Sequence, residues 1–334
     1  MKFSGAILLL VLMMAMSGCA SLTKPHNEPL NKIDDQVGYR IKNVRDGEFG
    51  DHLIFLAFSG GGTRAAALSY GVLQELRDTQ VDSRGSRVRL LDEVDTISSV
   101  SGGSFTAAYY GLFGDKLFSE YEKVFLRQSI QGALIRKLFD PVYWWESLFS
   151  GLDRTEMAIE YYGSNIFEDK TFSDINLKKG PFIEIYATDL GGSNRFSFGQ
   201  GVFDLICSDL GQLSVARAVT ASSAVPIAFP TVVLKNYAGE CDSSDSIFVR
   251  SLANLSSDNP RIKQLKDRVK SFTDAKARPF IHLVDGGLAD NLGLRALLDR
   301  VETFAGHAEF FERSKQLPKD MLVILVNAEV KPER

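Results

Sequence analysis

Residues 54–73, IFLAFSGGGTRAAALSYGVL, constrain the fold more than any other stretch of the chain. A continuous apolar run, HLIFLAF over 52–58, ends just before three successive glycines, Gly60, Gly61 and Gly62, and a helical pattern begins at once. An apolar run without polar alternation is what a strand buried on both faces needs, as in a parallel sheet. Leu68, Val72 and Leu76 then recur at i, i+4 and i+8, one stripe of an amphipathic helix. The glycines let the chain turn sharply and aim consecutive N–H groups one way, and the helix adds its positive end. Such a turn holds a negative charge, either a nucleotide phosphate or the oxyanion of acyl transfer. A tight strand-to-helix turn with no ligand has the same look.

The alternation continues along the chain. VDTISSV (94–100), FIEIYATDL (182–190), FIHLVDGG (280–287) and MLVILVNA (321–328) read as strands. SFTAAYYGLF (104–113), LSVARAVTASSA (213–224) and GLRALLDRVETF (293–304) read as helices. Strands alternating with helices predict an α/β domain over 49–334, a three-layer α/β/α fold with a mostly parallel central sheet. Two regions break the rhythm and read as insertions on that core. Residues 115–172 are aromatic and irregular and include Trp144 and Trp145, a candidate cap over a cleft. Residues 236–278 are polar, with one amphipathic helix carrying Ile262, Leu265, Val269 and Phe272. Neither has enough apolar residues for a core of its own.

The N-terminus reads as a targeting segment. Lys2 precedes an 11-residue apolar core, AILLLVLMMAM, too short to span a bilayer stably. MSGCAS follows, and Ser17-Gly18-Cys19 resembles the lipobox of bacterial lipoproteins, which implies a signal peptide over 1–18 and lipid attachment at Cys19. Ala20, non-acidic, then implies an outer-membrane lipoprotein facing the periplasm. Residues 19–48 are polar and aperiodic and read as a tether. The two remaining cysteines, Cys207 and Cys241, fit either a disulfide in an oxidising compartment or two buried thiols. The four histidines are scattered without ligand spacing, so no metal is expected. A formal charge of −4 with no basic run gives no sign of a nucleic-acid partner. Nothing in the sequence sets an oligomeric state.

Two further junctions carry chemistry. In TISSVSGGSF, Ser101 follows a β-branched strand and precedes a helix. Ser99-Val100-Ser101-Gly102-Gly103 is G-x-S-x-G with serine in the first place, the cramped turn of a nucleophilic serine. In HLVDGGLADN, Asp285 ends an apolar strand before two glycines, while Asp290 reads as a cap or loop residue. All three junctions would lie on one edge of the sheet.

In this order, GGGTRA, SVSGG and DGG resemble the motifs of the patatin-like phospholipases, and ATDLGGSNRFSFG and ASSAVPIAFPTV resemble that family's mid-domain segments. The resemblance spans 52–330 and departs from the pattern at Ser99 and Ala65. It implies a cofactor-free lipid acyl hydrolase with a membrane lipid substrate and a Ser–Asp dyad, Ser101 the nucleophile and Asp285 the base. The amides of Gly60, Gly61 and Gly62, with Gly102 in support, would form the oxyanion hole. Arg64 would contact a lipid phosphate or brace the loop.

Three other readings compete. Gly60, Gly62 and Ala65 also fit a dinucleotide fingerprint with Asp82 as its acidic residue, but Asp82 is not at a strand end in the sequence pattern. An α/β-hydrolase esterase would use Ser101, Asp285 and His307, yet His307 lies in the charged stretch FAGHAEFFERSK. A non-catalytic lipid-binding lipoprotein would need neither Ser101 nor Asp285.

Overall fold

The computed structural model describes residues 25–47, 50–129, 154–192, 194–225, 230–253, 255–295, 297–298 and 319–330. The expected signal peptide, Cys19, Trp144, Trp145 and His307 lie outside them. No helix among the described residues is long and apolar enough to cross a membrane.

The strands in chain order are β1 (Glu28–Pro29), β2 (His52–Phe58), β3 (Gln80–Ser83), β4 (Ser86–Arg89), β5 (Val94–Val100), β6 (Phe182–Asp189), β7 (Asn194–Phe198), β8 (Ser208–Asp209), β9 (Val232–Lys235), β10 (Phe280–Asp285) and β11 (Asp320–Val326). The helices used below are α1 (Gly62–Asp78), α2 (Gly102–Phe113), α3 (Leu117–Tyr121), α4 (Arg154–Tyr162), α5 (Gln200–Leu205), α6 (Val215–Ser223), α7 (Ile247–Ala253), α8 (Pro260–Phe272) and α9 (Gly287–Asp290).

The seven-stranded central sheet is mixed and mostly parallel, in the order β11-β2-β5-β6-β10-β9, with β7 also on β6. β11, β2, β5 and β6 are parallel, whereas β7, β10 and β9 join antiparallel. β5 and β6 are buried at every residue, which is why neither alternates in hydropathy. On one face Ile54, Leu56, Phe58, Ile97, Ile183 and Ile185 enter the main core beneath α1, α2, α4 and α6. On the other, Leu53 and Phe55 pack with Leu297.

α1 follows the predicted stripe at Leu76 and, half-buried, at Val72, but not at Leu68. Its buried residues are Ala65, Ala66, Ser69, Tyr70, Leu73 and Leu76, while Leu68 is exposed. Small residues occupy the N-terminal part of that face, at Ala65, Ala66 and Ser69, and there α2 lies close enough for the Thr106 hydroxyl to donate to the Ala66 carbonyl at 2.8 Å. α8 does follow its predicted stripe, with Ile262, Leu265 and Phe272 buried and Asn259 capping its N-terminus. Ile262 and Leu265 join Leu252 of α7 in a small cluster of their own. From the 115–172 region, Leu117 and Tyr121 of α3 and Met157 of α4 join the main core, as do Phe125, Phe167 and Phe172.

The expected tether is, from residue 25 on, a strap bound to the domain. β1 pairs with β8. Tyr39 is buried, its hydroxyl donating to the Ile183 carbonyl at 2.8 Å. Arg40 makes a buried bidentate pair with Asp204 of α5, at 2.7 and 3.0 Å. The low apolar content hid this, because the strap is held mainly by polar contacts and a few deep anchors. The Cys207–Cys241 disulfide, with Cα atoms 5.6 Å apart, borders the same strap, where the Leu30 amide donates to the Cys207 carbonyl at 2.7 Å. Arg40→Ala would strand the Asp204 carboxylate in the interior. It is expected to cost about 3–5 kcal/mol, read as a lower denaturant midpoint with an unchanged slope.

Candidate active site

The site forms where two strands meet head-on along one edge of β6. β7 covers Ile185–Asp189 on the opposite edge. On the near edge β5 runs parallel to β6 and ends with Val100 opposite Tyr186. β10 arrives antiparallel and ends with Asp285 opposite Ala187, the next residue along. The two carboxyl-terminal strand ends therefore converge. The sequence suggested a shared edge of parallel strands. The structure brings the residues together by the reverse route, since β10 opposes β6. A Cβ at Gly286 would collide with the Tyr186 carbonyl, so only glycine lets β10 leave at that point.

Ser101 sits on the turn between β5 and α2 with φ 50° and ψ −121°, outside the ordinary left-handed region for a side-chain-bearing residue. This is the strained elbow expected from SVSGG. Ser99, where the pattern has glycine, is buried and donates to the Glu184 carbonyl at 3.2 Å, so its hydroxyl is satisfied. The Ser101 hydroxyl donates to Asp285 Oδ2 at 2.8 Å. Asp285 Oδ1 accepts the Gly287 amide at 2.7 Å. Burial holds the Asp285 carboxyl above the usual carboxylate range, and the bonds from Gly287 and Ser101 offset this only in part. The Asp285 carbonyl accepts from the Thr188 hydroxyl at 2.8 Å. Asp290 caps the next turn, accepting the Arg295 amide at 2.8 Å.

The glycine loop lies against this elbow. A Cβ at Gly102 would collide with the Gly62 carbonyl oxygen and stand 2.6 Å from its carbon, so the two backbones touch. Gly61 and Gly62 take φ 141° and 62° as the N-cap and first residue of α1, and both are exposed. Neither amide has an acceptor among the described residues. Gly60 differs from expectation. Its amide donates to the Asn291 carbonyl at 2.9 Å and is not free for an oxyanion. Its role is steric, since a Cβ there would collide with the Asn291 side-chain oxygen and lie 3.3 Å from Ser101 Cβ. Arg64 braces the loop, its Nε donating to the Ala328 carbonyl at 3.0 Å rather than to a carboxylate.

Asp82 lies on β3, in a separate two-stranded hairpin and not in the central sheet. The three described histidines face other partners, His26 toward Glu156, His52 toward Asp320 and His282 toward Thr231.

The family model of the patatin-like phospholipases matches residues 56–298. The chain belongs to the patatin-like phospholipase family. Its members are lipid acyl hydrolases, and the matched range holds the glycine loop, Ser101 and Asp285. No curated protein matches the chain. Among solved structures, human GIVD cytosolic phospholipase A2 is similar, at 14% identity and a TM-score of 0.37. That match covers 74% of this chain and 44% of the other, so the chain spans less than half of that relative. The positions the patatin-like motifs did not flag are Ser222, Thr188 and Asn291. Ser222 and Thr188 each set a hydroxyl against a backbone group of the site, and Asn291 sets its own carbonyl against the Gly60 amide, contacts that leave no composition signal. Their only trace is that they lie within the segments ATDL, ASSAVP and DGGLADN.

Proposed function

We propose that this chain is a membrane-anchored serine acyl hydrolase that cleaves ester-linked acyl chains from phospholipids or related lipids. The observation that carries the reading is the direct 2.8 Å bond from the Ser101 hydroxyl to Asp285. It leaves no room for an imidazole between nucleophile and base, which favours the dyad over a triad through His307.

Asp285 takes the Ser101 proton as Oγ attacks the ester carbonyl carbon. The negative oxygen of the tetrahedral intermediate is held by the Gly61 and Gly62 amides, with the Gly102 amide beside them. Collapse breaks the ester C–O bond. The proton on Asp285 passes to the leaving alkoxide, which departs as an alcohol, and the acyl chain stays on Ser101. Water, deprotonated by Asp285, attacks the acyl-enzyme. The second intermediate releases the fatty acid and returns the proton to Ser101. A carboxylate of ordinary pKa, about 4, is a weak base for such steps, and the burial of Asp285 strengthens it.

In this reading a lipid on Cys19 anchors the protein to the bacterial outer membrane, facing the periplasm, and membrane lipid is both support and substrate. The Cys207–Cys241 disulfide supports an oxidising compartment. The test is mass spectrometry of the products formed from mixed phospholipid vesicles by the native protein and by Ser101→Ala. Free fatty acid and lysolipid are expected from the native protein only. Identical profiles from both would sink the hydrolase and leave a lipid-binding lipoprotein.

A further inference from the structure

We infer that Ser222 is a positioning residue that fixes Ser101 and Asp285 against each other, an inference that rests on the hydrolase reading above. Ser222 lies in the last turn of α6 and is fully buried. Its hydroxyl donates to the Tyr186 carbonyl at 2.6 Å and accepts the Ser101 amide at 2.8 Å. Because its one proton goes to Tyr186, Ser104 is the donor in the 2.9 Å bond between the two hydroxyls. Tyr186 is the β6 residue paired with Val100, the end of β5. One oxygen thus ties the elbow to the strand from which both reacting residues are measured.

The same helix end reaches the other strand. The Ser222 carbonyl accepts the Gly286 amide at 3.0 Å, and the Ala224 carbonyl accepts the Asp285 amide at 2.9 Å. Two residues at the end of α6, Ser222 and Ala224, therefore hold the backbone on both sides of the dyad. The need is physical. At φ 50° the Ser101 amide is turned out of both the β5 ladder and the α2 helix, and burial leaves no water to satisfy it. Without the Ser222 oxygen the elbow gains by relaxing, which carries Oγ away from Asp285. With it, the Ser101 amide is spent, so the oxyanion is left to the glycine-loop amides and to Gly102.

The experiment compares native protein, Ser222→Ala and, as control, Ser223→Ala, whose hydroxyl bonds only carbonyls of its own helix. Each is assayed for fatty-acid release from vesicles and for the rate at which a fluorophosphonate labels Ser101, normalised to titrated active sites. A small displacement of a reacting group can cost about 100-fold. Ser222→Ala is expected to lower kcat and the labelling rate roughly 10- to 100-fold with KM unchanged, and Ser223→Ala to stay within twofold. If Ser222→Ala does not fold, Ser222→Cys fills the same space with a far poorer acceptor and is expected to show the same loss. A folded Ser222 variant labelled within twofold of native overturns the inference, as does unfolding of both variants, which would make Ser222 a folding residue. Failure of the native protein to release fatty acid or to label at Ser101 defeats the hydrolase itself and this inference with it. Normal native labelling with an unaffected Ser222→Ala defeats the positioning role alone.

Discussion

Asp285→Asn is expected to abolish turnover and to make the protein more stable at neutral pH. The amide cannot take the Ser101 proton, and losses for single members of a nucleophile–base unit run about 10⁴- to 10⁶-fold in kcat. The stability gain follows from the sign of the pKa displacement. Burial raises the Asp285 carboxyl above its unfolded value, so the folded state holds the proton more tightly than the unfolded state does. That contribution to stability is fully present below the unfolded pKa and is lost as pH rises through the folded one. At neutral pH the native enzyme carries a buried charge that opposes folding, and asparagine removes it. The gain in Tm should shrink as pH falls and Asp285 takes up its proton. For the same reason kcat/KM of the native enzyme should fall on the acid side at a pH above the ordinary carboxylate range, because only the ionised carboxylate accepts the Ser101 proton. A variant less stable than native at pH 7, or an acid limb at the usual carboxylate value, would contradict this account.

Gly102→Ala is the second large effect. The added methyl meets the Gly62 carbonyl oxygen, carbon and Cα. These are backbone atoms and cannot swing aside, so the glycine loop must move away from Ser101. Misaligning an oxyanion donor costs about 10²- to 10³-fold in kcat, and that loss is expected here, with a weaker fold, in kinetics corrected for folded protein. Gly71 is the internal control. It sits within α1 with open space around its Cα, so Gly71→Ala should leave kcat alone and add roughly 0.5–1 kcal/mol of stability.

Much of this architecture was legible because strands buried on both faces write themselves as short runs rich in apolar and β-branched residues, without helical spacing. HLIFLAF, VDTISSV and FIEIYATDL announced β2, β5 and β6, and the small residues around Ser101 announced a turn too cramped for side chains. The direction of β10 was not legible, since an apolar run has no polarity and FIHLVD reads the same parallel or antiparallel. The pairing of Gly60 with Asn291 was hidden for a related reason. Backbone donors are alike in every residue, and only the fold decides which are spent. The strap over 25–47 was misread because its hold comes from Tyr39, Arg40 and short β1, too few residues to make a period. In α1 the leucine spacing placed Leu76 correctly but not Leu68, because the first turns of the core face are filled by Ala65, Ala66 and Ser69.

The meeting of β5 and β10 on β6 also sets when this chain becomes chemically competent. Ser101 and Asp285 are 184 positions apart, and neither strand end touches the other until both have docked on the same central strand. A contact of such sequence separation forms only when a very long loop closes. A chain still emerging, or cut anywhere ahead of residue 280, carries a serine with nothing to deprotonate it. The reactivity of Ser101 thereby certifies that assembly is complete.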